Sequence, residues 1–374
     1  MINIKNKAAA FFRSQPVLVI SFFAALITVF IIPPDKEYSG YCSRTVLIQL
    51  FALMTAVAGL RSIGVFDYAT SYILRKTGNL RSLARVLIII CFFTSMLVTN
   101  DVALLTFVPL TLMLFRGIDD EKSRIFTIVL ETAASNMGSM MTPIGNPQNL
   151  YLYDEFGLSA ADFIKTTLPV GAASFVCLML LSFRLPKTPC TAPPPTDAKI
   201  SKARGIAYTV LFAVCLASVL RFVPDWICLI AAVAAALAFD PSLLKKVDYA
   251  LLATFVCFFI FVGNIARIGA VSGFFRDILS GREILVAIGI SQLISNVPAA
   301  VMLAGFTDNG KALLLGVDIG GLGTMIASLA SLISFQIYRK ADGAKPGRYM
   351  LTFTAVSLAM LVVLVPIALL YNIA

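Results

Sequence analysis

The 374-residue sequence predicts an all-α polytopic membrane protein, an inverted repeat with two re-entrant hairpins and two broken helices. Three observations predict this fold class. Hydrophobic residues make up 59% of the chain, only 13% are charged and the mean hydropathy is +0.89, outside the range of a soluble core. Apolar runs are broken twice by short polar tips and twice by longer stretches of Gly, Pro, amide and hydroxyl residues. These interruptions recur in the same order in both halves, and the lysines and arginines fall so that the halves face opposite ways.

Residues 1–44 form an N-terminal region with one span at 17–32, stopped by Pro33 and Pro34. Lys5, Lys7 and Arg13 precede that span and no small-residue cleavage site follows it, so a cleavable signal is not expected. Repeat 1 covers 45–184. It opens with a span from 45 to about 62 that continues into the amphipathic segment GVFDYATSYILRK. The next apolar run opens at Arg81 and Arg85, is broken by VTND at 98–101 and resumes as VALLTFVPLTLMLF. Each piece has about 14–17 residues, short of the roughly 20 that a span needs, so a hairpin with its tip at Thr99, Asn100 and Asp101 is expected. The stretch ETAASNMGSMMTPIGNPQNLYLY (131–153) follows and cannot form a continuous helix, because Pro143 and Pro147 lack amide donors and glycines loosen the backbone. Its break is expected at 136–149. Broken backbone at membrane depth persists only where protein or a water-filled cavity covers it, and half-helix ends then face whatever occupies that cavity. A full span at 163–183 and a Pro- and Lys-rich linker at 185–204 end this half.

Repeat 2 covers 205–374. Spans are expected at 205–220, 226–239 and 249–265, a hairpin at 284–306 with its tip at 295–297, a broken helix over 313–338 with its break at 318–331, and a closing span at 350–371. Three ordered matches tie the halves together. GLRSIGVFDYATSYI matches NIARIGAVSGFFRDI, TNDVALL matches SNVPAAV, and NMGSMMTPIGN matches DIGGLGTMIAS. The last pairs Gly138 with Gly320, Thr142 with Thr324 and Asn146 with Ser328. With the N-terminus in the cytoplasm, 22 of the 30 Lys and Arg fall on the inside, so the first hairpin enters from the cytoplasm and the second from the outside.

Several function classes are excluded or disfavoured. The net charge of +10 lies in loops between apolar spans, which fits a bilayer rather than a nucleic acid. The seven cysteines show no CxxC spacing and read as small packing residues. The chain has no histidine, which removes His triads, His metal sites and His relays. No GxSxG motif or facing pair of catalytic carboxylates appears, so an intramembrane enzyme is disfavoured and no cofactor is expected. A channel fits closed polar tips less well than alternating access does.

Asp101 carries the sharpest chemistry, since a carboxylate at bilayer depth marks an ion or proton route; the competing reading is a helix cap. Asn100 and Asn296, matched amides on inverted hairpins, offer oxygens to a cation or N–H donors to an anion. Asp318 stands where the first half has Asn136, either as a titratable site or as a loop acid. Glu131 lies on the face leading into the first break, or pairs with a base at its helix start. The substrate-binding candidates are Thr99, Asn100, Thr142, Asn146, Asn149, Ser295, Asn296, Thr324 and Ser328; hydroxyls in apolar helices also bond their own backbone. The ion-coupling candidates are Asp101, Asn136, Gly138, Asp318 and Glu131, with sodium at Asn100, Asn296 and Asp101 as one assignment. Arg61 and Arg267 read as interfacial anchors.

At TNDVALL, TPIGNPQN and SNVPAA the chain resembles the ion transporter superfamily: divalent-anion:sodium symporters, citrate–metal–proton symporters, arsenite permeases and a group of sodium/proton antiporters. The resemblance runs from about 45 to 371. It implies hairpin tips and unwound loops that bind substrate and cations, a transport domain that moves as an elevator against a dimerising scaffold, and a homodimer in the bacterial inner membrane. The dicarboxylate symporters of that superfamily carry Ser-Asn-Thr at both tips, whereas Thr99, Asn100, Asp101 and Ser295, Asn296, Val297 stand here. The expected function is secondary active transport of a small anion, an organic di- or tricarboxylate, as symport or antiport with protons or sodium. Arsenite or antimonite efflux and sodium/proton antiport are the alternatives.

Overall fold

The computed structural model describes residues 15–64, 77–115, 118, 120–189 and 201–373. Most of the amphipathic segment over 64–76, the basic residues before 15 and most of the linker lie outside the described residues. The chain begins with α1 (Pro16–Ile31) and the single turn α2 (Tyr38–Tyr41). The first half continues with α3 (Arg44–Ser62), a hairpin of α4 (Leu80–Val98) and α5 (Asn100–Leu114), a broken helix of α6 (Glu121–Ser139) and α7 (Pro147–Glu155), and α8 (Ala160–Leu181). The second half holds α9 (Lys202–Val219), α10 (Asp225–Phe239), α11 (Tyr249–Ala266) and α12 (Gly269–Leu279). It then repeats the hairpin as α13 (Glu283–Ile294) and α14 (Asn296–Ala304), the broken helix as α15 (Gly310–Gly320) and α16 (Leu329–Tyr338), and closes on α17 (Pro346–Ile373).

Among the described residues six helices are long and apolar enough to cross a membrane, and the hairpin and half-helix pieces are mostly shorter. The exceptions are α4 and α6, each of 19 residues. α4 exceeds the 14–17 expected because Asn79 caps it and accepts the Ser82 N–H at 3.0 Å, extending the helix back beyond its apolar run.

The halves interlock by exchange. The leading span α1 packs against α11, and α10 packs against α3, so each half covers the other's scaffold helix. Within each half the hairpin's first arm lies along the first piece of the broken helix, α4 on α6 and α13 on α15. The return arms cross over, α5 against α16 and α14 against α7. This pattern maps onto itself when the halves are swapped, as an inverted repeat requires. Contacts at the ends of the spans agree. Arg124 donates to the Asp342 carbonyl at 3.1 Å on one face, while Arg267 meets Asp35 at 2.7 Å and Lys311 meets Asp162 at 3.3 Å on the other.

Close approach of α4 and α6 depends on Gly138. A Cβ there would lie 2.1 Å from the Phe92 carbonyl oxygen and 2.5 Å from Ser95 Oγ. Its counterpart Gly320 serves α13 and α15, where a Cβ would meet Ser291 Oγ at 2.7 Å. Small residues at such crossings let backbones touch, which is how helices associate in lipid without a hydrophobic driving force.

Candidate functional site

Each hairpin tip turns on one residue with positive φ, Thr99 at 72° and Ser295 at 78°. A non-glycine residue in that region is strained and persists only when its surroundings hold it. They do so identically in the two halves. The Asn100 N–H donates to the Gly145 carbonyl at 3.1 Å, and the Asn296 N–H donates to the Ala327 carbonyl at 2.9 Å. Each tip is thereby docked into the break of its own half.

The docking brings four helix N-termini to one point. A small void is lined by Asn100 and Asp101 of α5, Pro147 and Gln148 of α7, Asn296 and Val297 of α14, and Ser328 with the start of α16. Its volume of about 10 Å³ has room for roughly one water-sized group. Three of the four helices, α5, α14 and α16, have no side-chain cap. Asn146 caps the fourth, its Oδ1 accepting the Asn149 N–H at 2.9 Å. The Asn296 side chain, 4% exposed, lines the void without a hydrogen bond to the described residues.

A cavity of about 700 Å³ leads to this void from the face that carries Arg61, Lys246 and Asp248. Thr99, Asp101, Asn146 and Pro147 lie at its inner end, and Asp101, Pro147 and Leu251 border both spaces. On the opposite face the helices are tied together. Arg221 donates to the Tyr153 carbonyl at 3.1 Å, and Ser43 donates to Asp154 at 2.9 Å.

Behind the void, Asn136 and Asp318 occupy matching places. Asn136 Oδ1 accepts from Asn100 Nδ2 at 3.2 Å and Ser328 Oγ at 3.0 Å, and Asn136 Nδ2 donates to Ser331 Oγ at 3.1 Å. Asp318 Oδ1 accepts from Asn146 Nδ2 at 3.3 Å and Gln148 Nε2 at 3.5 Å. Each therefore ties its own half to the other half's break. Asn149 Nδ2 closes the first break by donating to the Ser139 and Thr142 carbonyls, each at 3.3 Å.

Of the residues singled out by sequence, Thr99, Asn100, Asp101, Asn146, Asn296 and Ser328 line the void or the inner cavity. Asn136, Asn149, Ser295 and Asp318 stand directly behind them, all buried. Four others lie elsewhere. Glu131, fully buried among α4, α5 and α6, accepts from Thr111 Oγ1 at 2.5 Å and lines neither space. Gly138 is filled by helix packing and leaves no room for a ligand. Thr142 and Thr324 spend their hydroxyls on the first arms of the hairpins, donating to the Met96 carbonyl and, at 3.2 Å, to the Gln292 carbonyl. Sequence reasoning missed Gln148, which lies inside the quoted TPIGNPQN motif but had no counterpart in the second half to flag it. Arg61, read from sequence as an interfacial anchor, also lines the cavity and donates to the Leu105 carbonyl at 3.1 Å.

Comparison with known proteins agrees with this architecture. The family model for the citrate transporter matches residues 7–309. An uncharacterized transporter of Methanocaldococcus jannaschii is 32% identical over 355 residues, 94% of this chain and 96% of that protein. The inner membrane protein YbiR of Escherichia coli is 31% identical over 326 residues, 84% of this chain and 87% of that one. The silicon efflux transporter LSI3 of Oryza sativa subsp. japonica is 31% identical over 161 residues, 42% of this chain and 32% of its own length. Among solved structures, the YdaH transporter of Alcanivorax borkumensis, reported to have an unusual topology, superposes with a TM-score of 0.62 at 12% identity, over 95% of this chain and 98% of that one.

Proposed function

Since the chain belongs to the citrate transporter family, we propose that it is a secondary active transporter that moves a small anion, an organic di- or tricarboxylate, driven by protons or sodium. The observation that carries the anion is the meeting of four helix N-termini at one void. The dipoles of the four helices point their positive ends at the void, and three of those ends carry no side-chain cap, so together they favour a carboxylate or oxyanion. The Asn100 and Asn296 amides add donors from both halves. The void itself takes only part of a ligand. The cavity above it, at about 700 Å³, lies within the size range of small-molecule sites.

Arg61 and Lys246, with Asp248 between the same walls, leave the outer part of that cavity with one net positive charge, while Asp101 at its inner end repels anions. A cation or proton on Asp101 removes the repulsion, which makes anion entry dependent on the coupling ion. On the charge map this cavity faces the cytoplasm, and on the outer side a separate cavity of about 390 Å³ bordered by Tyr153, Asp154 and Arg221 shares no lining residue with the void. Alternating access then follows by movement of the hairpins and broken helices against the scaffold of α3 and α11. We place the chain in a bacterial inner membrane with its N-terminus inside, as a homodimer.

A second reading, efflux of a small oxyacid such as silicic or arsenous acid, is favoured by the likeness to the rice silicon efflux transporter and by the smallness of the void. Uptake and efflux by reconstituted protein, tested with citrate, succinate, sulfate, arsenite and silicate under imposed sodium or pH gradients, decides between them. Gradient-driven movement of a di- or tricarboxylate supports the first reading; movement of the uncharged acids alone supports the second; movement of none overturns both.

A further inference from the structure

The pockets around Asn136 and Asp318 are built on the same plan but are not equally complete. In the first, donors and acceptors match: Asn136 Oδ1 receives two donors, and Asn136 Nδ2 gives a hydrogen to Ser331. In the second, Asp318 replaces that amide, and Asn149 stands at the position of Ser331. An oxygen, Asp318 Oδ2, now takes the place of the N–H donor. Asp318 Oδ2, Gln148 Oε1 and Asn149 Oδ1 are all buried without a hydrogen-bond partner. Their residues are 2%, 1% and 0% exposed. Amide N–H groups serve Asp318 Oδ1, but Oδ2 and the side-chain oxygens of Gln148 and Asn149, two residues that act on this carboxylate, are left without a donor.

Buried polar atoms are almost always partnered, and leaving a buried carboxylate oxygen bare is costly. The groups acting on Asp318 are Asn146, Gln148 and Asn149; no charged side chain is among them. Asp101 borders the void that Gln148 also lines, and it is not among the groups acting on Asp318. No cluster of three acidic or thiol groups that would hold a divalent or transition metal exists among the described residues. The deficit is one positive charge, matched to one carboxylate.

We propose that the pocket of Asp318, Gln148 and Asn149 binds one monovalent cation, a sodium ion or a proton, in a site separate from Asp101. A sodium ion supplies the missing positive charge to Asp318 Oδ2, with the neighbouring amide oxygens as further ligands of the kind it takes. A proton on Asp318 Oδ2 recreates the donor that Asn136 supplies in the other half. Either one reaches the substrate region through Gln148, whose amide touches Asp318 and also lines the void. Occupancy of the site therefore sets the position of a side chain in the void wall. This consequence rests on the transport reading above; the cation site itself does not.

The test uses the full chain purified in lipid nanodiscs without substrate, so a failure of the transport reading leaves it intact. In one arm, thermal unfolding is followed in sodium chloride against choline chloride at fixed pH. In the other, without sodium, infrared difference spectra follow protonated carboxyl groups against pH. Wild type should show a sodium-dependent rise in melting temperature that Asp318→Asn lacks, which names sodium. Alternatively it should show a titrating carboxyl band that Asp318→Asn lacks, which names the proton. Gln148→Met keeps the side-chain length and removes one oxygen. It should move the sodium midpoint about tenfold, or the carboxyl midpoint by about one pH unit, and it serves if Asp318→Asn does not fold. The same sodium response and the same carboxyl band in wild type and variants, or neither signal in wild type, would overturn the proposal.

Discussion

The two hairpin tips share a backbone and differ in charge. Thr99 and Ser295 take the same strained turn, and Asn100 and Asn296 dock on equivalent carbonyls. Yet the next residue is Asp101 in one half and Val297 in the other, and one layer behind, Asn136 of the first half is matched by Asp318 in the second. Each half thus contributes one acid to the site, Asp101 at the void and Asp318 behind it. The duplicated backbone builds a symmetric void, where four N-termini serve an anion, while the unmatched acids supply distinct places for positive charge. Symmetry in the frame and asymmetry in charge are what a coupled carrier needs, because substrate and ion must occupy neighbouring but different positions.

The largest effect should come from removing the acid at the first tip. Asp101→Asn keeps the shape and removes the charge. Accumulation against a gradient should fall by about tenfold or more, while exchange without a gradient continues, since only the coupling is removed. Flux measured against pH and against sodium shows which ion has been lost. Unchanged accumulation in both series would leave Asp101 as a helix cap and would break the comparison of the two halves at its main point.

A smaller effect separates the two glycine crossings. Gly138→Ala drives a methyl into the Phe92 carbonyl, a backbone atom that can yield only if α4 shifts. Gly320→Ala meets Ser291 Oγ at 2.7 Å, which can rotate away, and Ser291 Cβ at 2.8 Å, a milder clash than the 2.1 Å approach to the Phe92 carbonyl. Overpacking should cost about 3 kcal/mol or more in the first half and about 1 kcal/mol in the second. Melting temperatures of the two variants, or their yields of folded protein, check the order. Equal losses would mean that the halves are packed alike.

The smallest effect belongs to the cross-packed leading span α1. At its end Arg267 bonds Asp35 at 2.7 Å and Glu37 at 3.2 Å. The Arg267 guanidinium holds the Asp35 carboxyl below its ordinary value of 3.8. A depressed carboxyl contributes fully above its unfolded pKa, and the contribution is lost as pH falls through the lower folded value. The melting difference between wild type and Asp35→Asn should therefore be small and flat from about pH 5 to 8, and vanish only in acid. A difference that grew towards pH 8 would contradict this pairing.

Much of the fold was legible in the sequence because breaks in helices at membrane depth require Pro, Gly and amides, which stand out in apolar runs. TND and SNV marked the tips, and TPIGNPQN marked the first break down to the residue that caps α7. Less of the site was legible. Thr142 and Thr324 match across the repeat because both brace hairpin arms, so their correspondence reported structure rather than binding. Glu131 resembles a site acid only until its helix register is known; it turns towards Thr111 and away from the void. Gln148 was passed over because pairing residues across a repeat favours those with partners, and the asymmetric residues are the ones that carry charge and its contacts.

One measurement bears most directly on the shared site between the tips: substrate uptake in the same proteoliposomes by Asn100→Ala, Asn296→Ala and Thr324→Ala. The expected result is a loss of about tenfold or more for each asparagine variant, with folding retained, and near wild-type uptake for Thr324→Ala, whose hydroxyl only braces a hairpin arm. Wild-type uptake by either asparagine variant would contradict a site built from both halves.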